Sequence, residues 1–160
     1  MLIAWAASEL SSAYTLHKMR ASEKLLATCA CNHIRTASRL VTRVYDALLR
    51  DTGLKASQLA ALAAIDSTET VSIAELSKKL SMDRTTLSRN LKPLIAARLV
   101  ELGEEGWRRS KLIRITPAGQ ERMAAAIPLW ERAQADTLGR LGEKRWQAVS
   151  THLDALIAQY

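Results

Sequence analysis

The side chains best suited to chemistry in this chain are cations and hydroxyls at helical spacing. Residues 78–114 hold ten Lys/Arg against four Asp/Glu, a net of +6, while the whole chain has 23 Lys+Arg against 16 Asp+Glu, a net of +7. Nearly all the excess positive charge lies in that one stretch, the electrostatic footprint of nucleic-acid binding. Within it, Arg84, Thr85, Thr86, Ser88, Arg89 and Lys92 offer guanidinium, ammonium and hydroxyl donors, and Arg108, Arg109, Ser110 and Lys111 form a second basic cluster. Cations of this kind neutralise phosphates, and the guanidinium fork matches the two acceptors of a guanine edge.

Two short helices must present the first cluster. Ser72 and Glu75 have the spacing of a capping box, in which each side chain accepts from the other's amide. Ile73, Leu76 and Leu80 then repeat at helical spacing. Ser81 and Met82 leave room only for a tight turn, and Asp83 is a suitable cap for the next helix. There Leu87, Leu91, Leu94 and Ile95 make one apolar stripe, with Thr85, Ser88, Arg89 and Lys92 opposite. This is the pattern of a helix-turn-helix. Pro93 lies inside the second helix and predicts a kink near Arg89.

A hairpin must carry the second cluster. Residues 99–102 read as a strand, residues 103–110 as a loop containing Gly103 and Gly106, and residues 111–115 as the return strand. Val71 and Ile73 offer a short third strand. Helix-turn-helix plus basic hairpin makes a winged helix, with one helix for the major groove and a wing for the flanking backbone or minor groove.

The run Leu76-Ser77-Lys78-Lys79-Leu80-Ser81-Met82-Asp83-Arg84-Thr85-Thr86-Leu87-Ser88-Arg89, followed by Leu99-Val100, Arg109 and Ile115-Thr116-Pro117-Ala118-Gly119, resembles the MarR family of bacterial transcriptional regulators. The resemblance spans about residues 29–158 and is strongest through the winged helix. It implies a mainly α fold, a winged helix-turn-helix whose long N- and C-terminal helices form a dimerisation lobe. It further implies a homodimer that binds double-stranded DNA at a pseudo-palindromic operator, in most cases as a repressor released by a small molecule. The family's wing usually carries Asp two residues before its Arg. Here Arg109 supplies the Arg, but Trp107 stands at the Asp position. A winged helix that binds a protein rather than DNA is therefore a second reading.

The remaining elements fit this plan as one domain. Residues 1–28 read as an N-terminal extension: the apolar start, Met1 to Ala7, has no basic residue before it, unlike a secretory signal, and Met19 offers a second start. Residues 29–52 read as one helix through Ile34, Ala37, Val41, Val44 and Leu48, widened by Leu40 and Leu49 and stopped at Gly53. Residues 56–66 form a short Ala/Leu support helix through Leu59, Leu62 and Ile65. Thr116 and Pro117 start a helix running to about Leu138, with Gly139 and Gly142 bracketing a turn. A last helix covers about residues 143–159, with Trp146, Val149, Leu153, Leu156 and Ile157 on one face. Residues 55–116 are thus the expected DNA-binding lobe, and residues 29–54 and 117–160 the expected dimerisation helices. The resemblance implies an effector pocket between the two lobes. Here it would be lined from Ile34 to Tyr45 and by the helix of Leu59 and Leu62. That lining is apolar with a few arginines and would tolerate an aromatic acid, so the expected effector is a small aromatic or phenolic molecule.

Cys29, Cys31 and His33 carry the remaining reactive groups. On a helix Cys29 and Cys31 point about 200° apart, so they cannot share a metal, and Cys29 with His33 makes only half a site. A thiol beside a cation at a helix N-terminus favours oxidation, and Lys24 is close in sequence. Some family members sense oxidants near the start of this helix, so a thiol switch at Cys29 or Cys31 stands beside the plainer reading of two inert, half-buried thiols. No nucleophile elbow, phosphate loop or metal-ligand set is present, so the expected protein is not an enzyme and needs no cofactor or metal. No apolar run reaches membrane-spanning length, which fits a cytoplasmic bacterial regulator without membrane partners.

Overall fold

The computed structural model describes residues 20–105 and 111–159. The chain divides into two compact units at Val41 and Thr42.

The first unit holds α1 (Ala21–Thr28) and the opening of α2 (Ala30–Leu49). The sequence predicts an extension up to residue 28, yet α1 forms. Its start is held by Glu23, whose carboxylate accepts from the Arg20 amide at 3.0 Å and from Arg20 Nε at 2.8 Å. The predicted helix over residues 29–52 forms, starting one residue later at Ala30, after Cys29, which is extended at φ −69°, ψ 111°, and ending as a 3-10 turn. Leu25, Leu26, Ile34, Leu40 and Val41 of this unit are all at least 40% exposed.

The second unit contains the main core. After α2 a single 3-10 turn, Arg50–Thr52, ends at Gly53, whose φ of 72° is left-handed. Then come α3 (Ala56–Asp66), β1 (Val71–Ser72), α4 (Ile73–Lys79), α5 (Arg84–Ala96), β2 (Val100–Glu105), β3 (Lys111–Ile115), α6 (Pro117–Leu141) and α7 (Glu143–Ile157). The three strands form an antiparallel sheet in the order β1-β3-β2. Val71 faces Ile113, and Leu102 also faces Ile113 from the other side. Leu49, Leu62, Ile65, Leu76, Leu87, Leu94, Val100 and Ile113 are fully buried together. Each such side chain contributes about 1.5–3 kcal/mol of burial.

Several boundaries differ from the sequence reading. Ile73 opens α4 rather than joining β1. Gly103, Glu104 and Glu105, expected in the loop, extend β2, with a register irregularity between Leu102 and Glu105. Gly139, expected in a turn, lies inside α6, and the stop is at Gly142, whose φ of 83° suits glycine. Helix α7 ends at Ile157, two residues before its predicted limit. Ile95 leaves the stripe of α5 and is 36% exposed, while Leu87, Leu91 and Leu94 stay buried.

The junction from α5 to β2 is tightly tied. Arg98 is left-handed at φ 54°. Its amide donates to Ile95 O at 2.9 Å, and that of Leu99 donates to Leu94 O at 2.9 Å. These two bonds are a Schellman stop with Arg where glycine is usual. The start of α6 docks on the same turn: Thr116 Oγ1 donates to Arg98 O at 2.7 Å, and the Thr116 amide donates to Leu99 O at 3.0 Å. A Cβ on Gly119 would lie 2.0 Å from Leu99 O, so only glycine allows this approach. Among the described residues no helix is long and apolar enough to cross a membrane.

Candidate nucleic-acid interface

The local chemistry of α4 and α5 follows the sequence closely. Glu75 Oε2 accepts from the Ser72 amide at 3.0 Å, and the Glu75 amide donates to Ser72 Oγ at 3.2 Å. Hydrogen bonds from the Ser72 hydroxyl and amide hold the Glu75 carboxyl below its usual range. In the turn, Ser81 is left-handed at φ 50°, and Ser77 Oγ donates to Met82 O at 2.5 Å. Asp83 then caps α5. Its Oδ1 accepts from the Thr86 amide at 2.8 Å and its Oδ2 from Thr86 Oγ1 at 2.6 Å. Those bonds depress the Asp83 pKa, the Thr86 hydroxyl being the largest cause.

With the buried face of α5 fixed, its other face is set. Arg84, Thr85, Thr86, Ser88, Arg89 and Lys92 are all exposed. Thr86 has its hydroxyl proton committed to Asp83, so it serves the cap as well as the surface. The ion pairs among the described residues are Arg20 with Glu23 and Arg114 with Glu101. Arg84, Arg89 and Lys92 therefore present charge that no described carboxylate neutralises. Lys79, by contrast, donates to Ser67 Oγ at 2.6 Å.

Of the predicted wing residues, Arg108, Arg109 and Ser110 lie outside the described residues, as does Trp107. Lys111 is the first residue of β3. The helix persists through Pro93 to Ala96, so Pro93 does not end it.

Sequence reasoning missed a polar tie behind this face. Ser57 Oγ donates to Asn90 Oδ1 at 3.0 Å, and Asn90 Nδ2 donates back to Ser57 O at 3.0 Å. The tie joins α3 to α5. An Asn between Arg89 and Leu91, at the edge of the apolar stripe, is its one sequence signal.

A cleft of about 610 Å³ opens on the other side of α3, lined by Tyr45, Leu59, Met123, Ile127, Trp130 and Asp66, among others. Tyr45 and Leu59 are in the lining, as the sequence predicts. The stretch from Ile34 to Arg43 is not part of it, and Leu62 turns into the core at 0% exposure. No arginine lines the cleft, contrary to expectation. Its second wall comes from α6, far away in sequence. Cys29 is half-buried and Cys31 is exposed, correcting the reading of two half-buried thiols. Among the described residues no group of three or more His, Cys, Asp or Glu is placed to hold a metal.

Comparison with known proteins agrees with this geometry. The sequence pattern of the MarR family matches residues 52–110. No curated protein sequence matches the chain. Among solved structures, the chain is similar to the M. tuberculosis transcriptional regulator MosR in complex with DNA, at 33% identity and a TM-score of 0.73, over 80% of this chain and 92% of that one. A structure of Bordetella bronchiseptica BpsR, described in terms of regulation of DNA binding by 6-hydroxynicotinic acid, shares the fold at 21% identity and a TM-score of 0.74, over 82% of this chain and 96% of that one. A mutant of E. coli MarR complexed with operator DNA shares it at 19% identity and a TM-score of 0.74, over 82% and 96%.

Proposed function

This chain belongs to the MarR family, whose members are transcriptional regulators and not enzymes, and from that premise we propose that it is a homodimeric repressor of a pseudo-palindromic operator. The observation that carries the reading is the exposed face of α5, where Arg84, Thr85, Ser88, Arg89 and Lys92 stand clear while Leu87, Leu91 and Leu94 lock the helix into the core. Arg89 and its neighbours serve the major groove. Arg108, Arg109, Ser110 and Lys111 serve the wing. The exposed apolar side chains of α2, α6 and α7 support a two-fold dimer of residues 29–54 and 117–160, with its recognition helices roughly 34 Å apart. The cleft between α3 and α6 supports control by a small aromatic molecule, and the absence of any long apolar helix among the described residues supports a cytoplasmic setting.

A band shift with the DNA beside the chain's own gene tests this. Log affinity should fall with log salt by about 0.9 per phosphate neutralised. Arg89→Ala should cost about 1–3 kcal/mol and relax base preference. Binding that ignores salt and survives loss of both Arg89 and Arg109 would leave the protein-interaction reading in its place.

A second reading of the control is favoured by one observation. Cys29 sits half-buried and extended between α1 and α2, and Cys31, two residues on in the first turn of α2, is exposed. Oxidation to a disulfide would remove two thiol hydrogens, with peroxide as the oxidant reduced to water. Peroxide should then release operator from the native chain and not from a Cys29→Ser/Cys31→Ser variant. Equal retention by both proteins would make the thiols structural.

A further inference from the structure

We propose that the cleft selects an aromatic amine, a flat apolar body with a protonated amino head, over an aromatic carboxylate of the same shape. This rests on the reading of the cleft as the effector site and adds the charge of its occupant.

The argument is a donor and acceptor inventory of the lining. About 610 Å³ is of the size that encloses a small organic molecule. Most of the lining is apolar: Leu59, Met123, Ile127 and three alanines beside the rings of Tyr45 and Trp130. The polar side chains are Tyr45, Asp66, Ser67 and Trp130; the first three are left as acceptors, and the neutral indole N–H of Trp130 is a donor. The Tyr45 hydroxyl donates to Gln134 Oε1, which commits its proton. Ser67 Oγ donates to Ala64 O at 2.9 Å. Asp66 receives a single bond, from Gln120 Nε2 at 3.2 Å, and keeps most of its lone pairs. Among the described residues, no Lys, Arg or His is in the lining. Lys79 reaches the same rim, but its ammonium is bonded to Ser67 Oγ at 2.6 Å and it does not line the cleft.

Such a lining treats the two head groups oppositely. An ammonium only donates; it meets the Asp66 carboxylate and the faces of Trp130 and Tyr45, which attract cations. A carboxylate only accepts; among the described lining side chains it meets no cation, only the neutral indole N–H of Trp130, and it sits against Asp66 as a like charge.

The test is calorimetric titration of the full chain at neutral pH with 2-phenylethylamine and 3-phenylpropionate, which share the aromatic body and differ in head charge. The amine should bind about tenfold more tightly, the scale of one charge-assisted hydrogen bond. Asp66→Asn keeps an acceptor for Gln120 and should remove that preference, while Lys79→Gln should leave it. Equal or tighter binding of the carboxylate, no heat from the amine at millimolar concentration, or a preference that survives Asp66→Asn would each overturn the proposal. Operator binding is measured on the same preparations. An Asp66→Asn chain that still shifts operator is folded, so a failed amine preference then counts against this inference alone. Failure of the native chain to shift operator counts against the regulatory reading alone.

Discussion

Helices α3 and α7 each carry an apolar face, yet they finish in opposite states. Helix α3 buries Leu59, Ala61, Leu62, Ala64 and Ile65. Helix α7 buries none of its residues, and Leu156 and Ile157 remain 42% and 65% exposed. Periodicity tells which face of a helix is apolar. It does not tell which chain covers that face. Helix α3 finds its cover in α5, α6 and the sheet of the same molecule, whereas Val149, Leu156 and Ile157 of α7 stay exposed.

The sharpest way to break that contrast is to charge both kinds of face. Leu153→Glu with Ile157→Glu should abolish dimerisation and operator binding together, read by sedimentation and band shift. Ile157 is exposed and Leu153 only half-buried, so the protomer's own unfolding should lose less than a core substitution costs. A stable native monomer at micromolar concentration would end the contrast, since α7 would then need no partner. Leu62→Ala should do the reverse: about 2–5 kcal/mol lost from urea unfolding through a cavity in the core, at any protein concentration.

Two smaller effects test how firmly the winged-helix side is made. Arg98→Gly should stabilise the protein by about 1 kcal/mol, because φ 54° is a left-handed position that costs any residue with a Cβ. A drop in melting temperature would show that the Arg98 side chain outweighs the strain. The smallest effect concerns Asp83. Its carboxyl titrates lower in the folded chain than in the unfolded one. Its contribution is therefore fully present above the unfolded carboxyl range and is lost as pH falls through the lower, folded value. Asp83→Asn keeps an acceptor for Thr86 and should flatten that part of the melting-temperature profile on the acid side while changing little at neutral pH.

What the sequence reveals divides along the same line. The Ser72–Glu75 box, the Asp83 cap and the Thr116-Pro117 start are decided by neighbours within a turn, and all three form as their spacing predicts. Gly139 misleads because a glycine in mid-helix costs only about 1 kcal/mol, and the left-handed stop is supplied three residues on by Gly142. Helix α1 escapes notice because its start is held by an Arg20–Glu23 pair rather than by one of the usual capping residues. The outward face of α5 is legible since Leu87, Leu91 and Leu94 leave the other side no choice. The cleft is only half legible. Tyr45 and Leu59 lie near the expected place, but Met123, Ile127 and Trp130 arrive from a helix whose approach is set by Gly119 against Leu99.

The two hydrogen bonds between Ser57 and Asn90 tie the helix that walls the cleft to the helix that carries the exposed cationic face. One end is on the helix that walls the cleft through Leu59, Ala60 and Ala63; the other is flanked by Arg89. Should the cleft hold the proposed effector and α5 the proposed operator, both occupancies would bear on this one tie. By reciprocity, whatever factor the small molecule takes from DNA affinity, the DNA takes from the affinity of the small molecule. A promoter-bound dimer would therefore respond only at effector concentrations above those that fill the free protein.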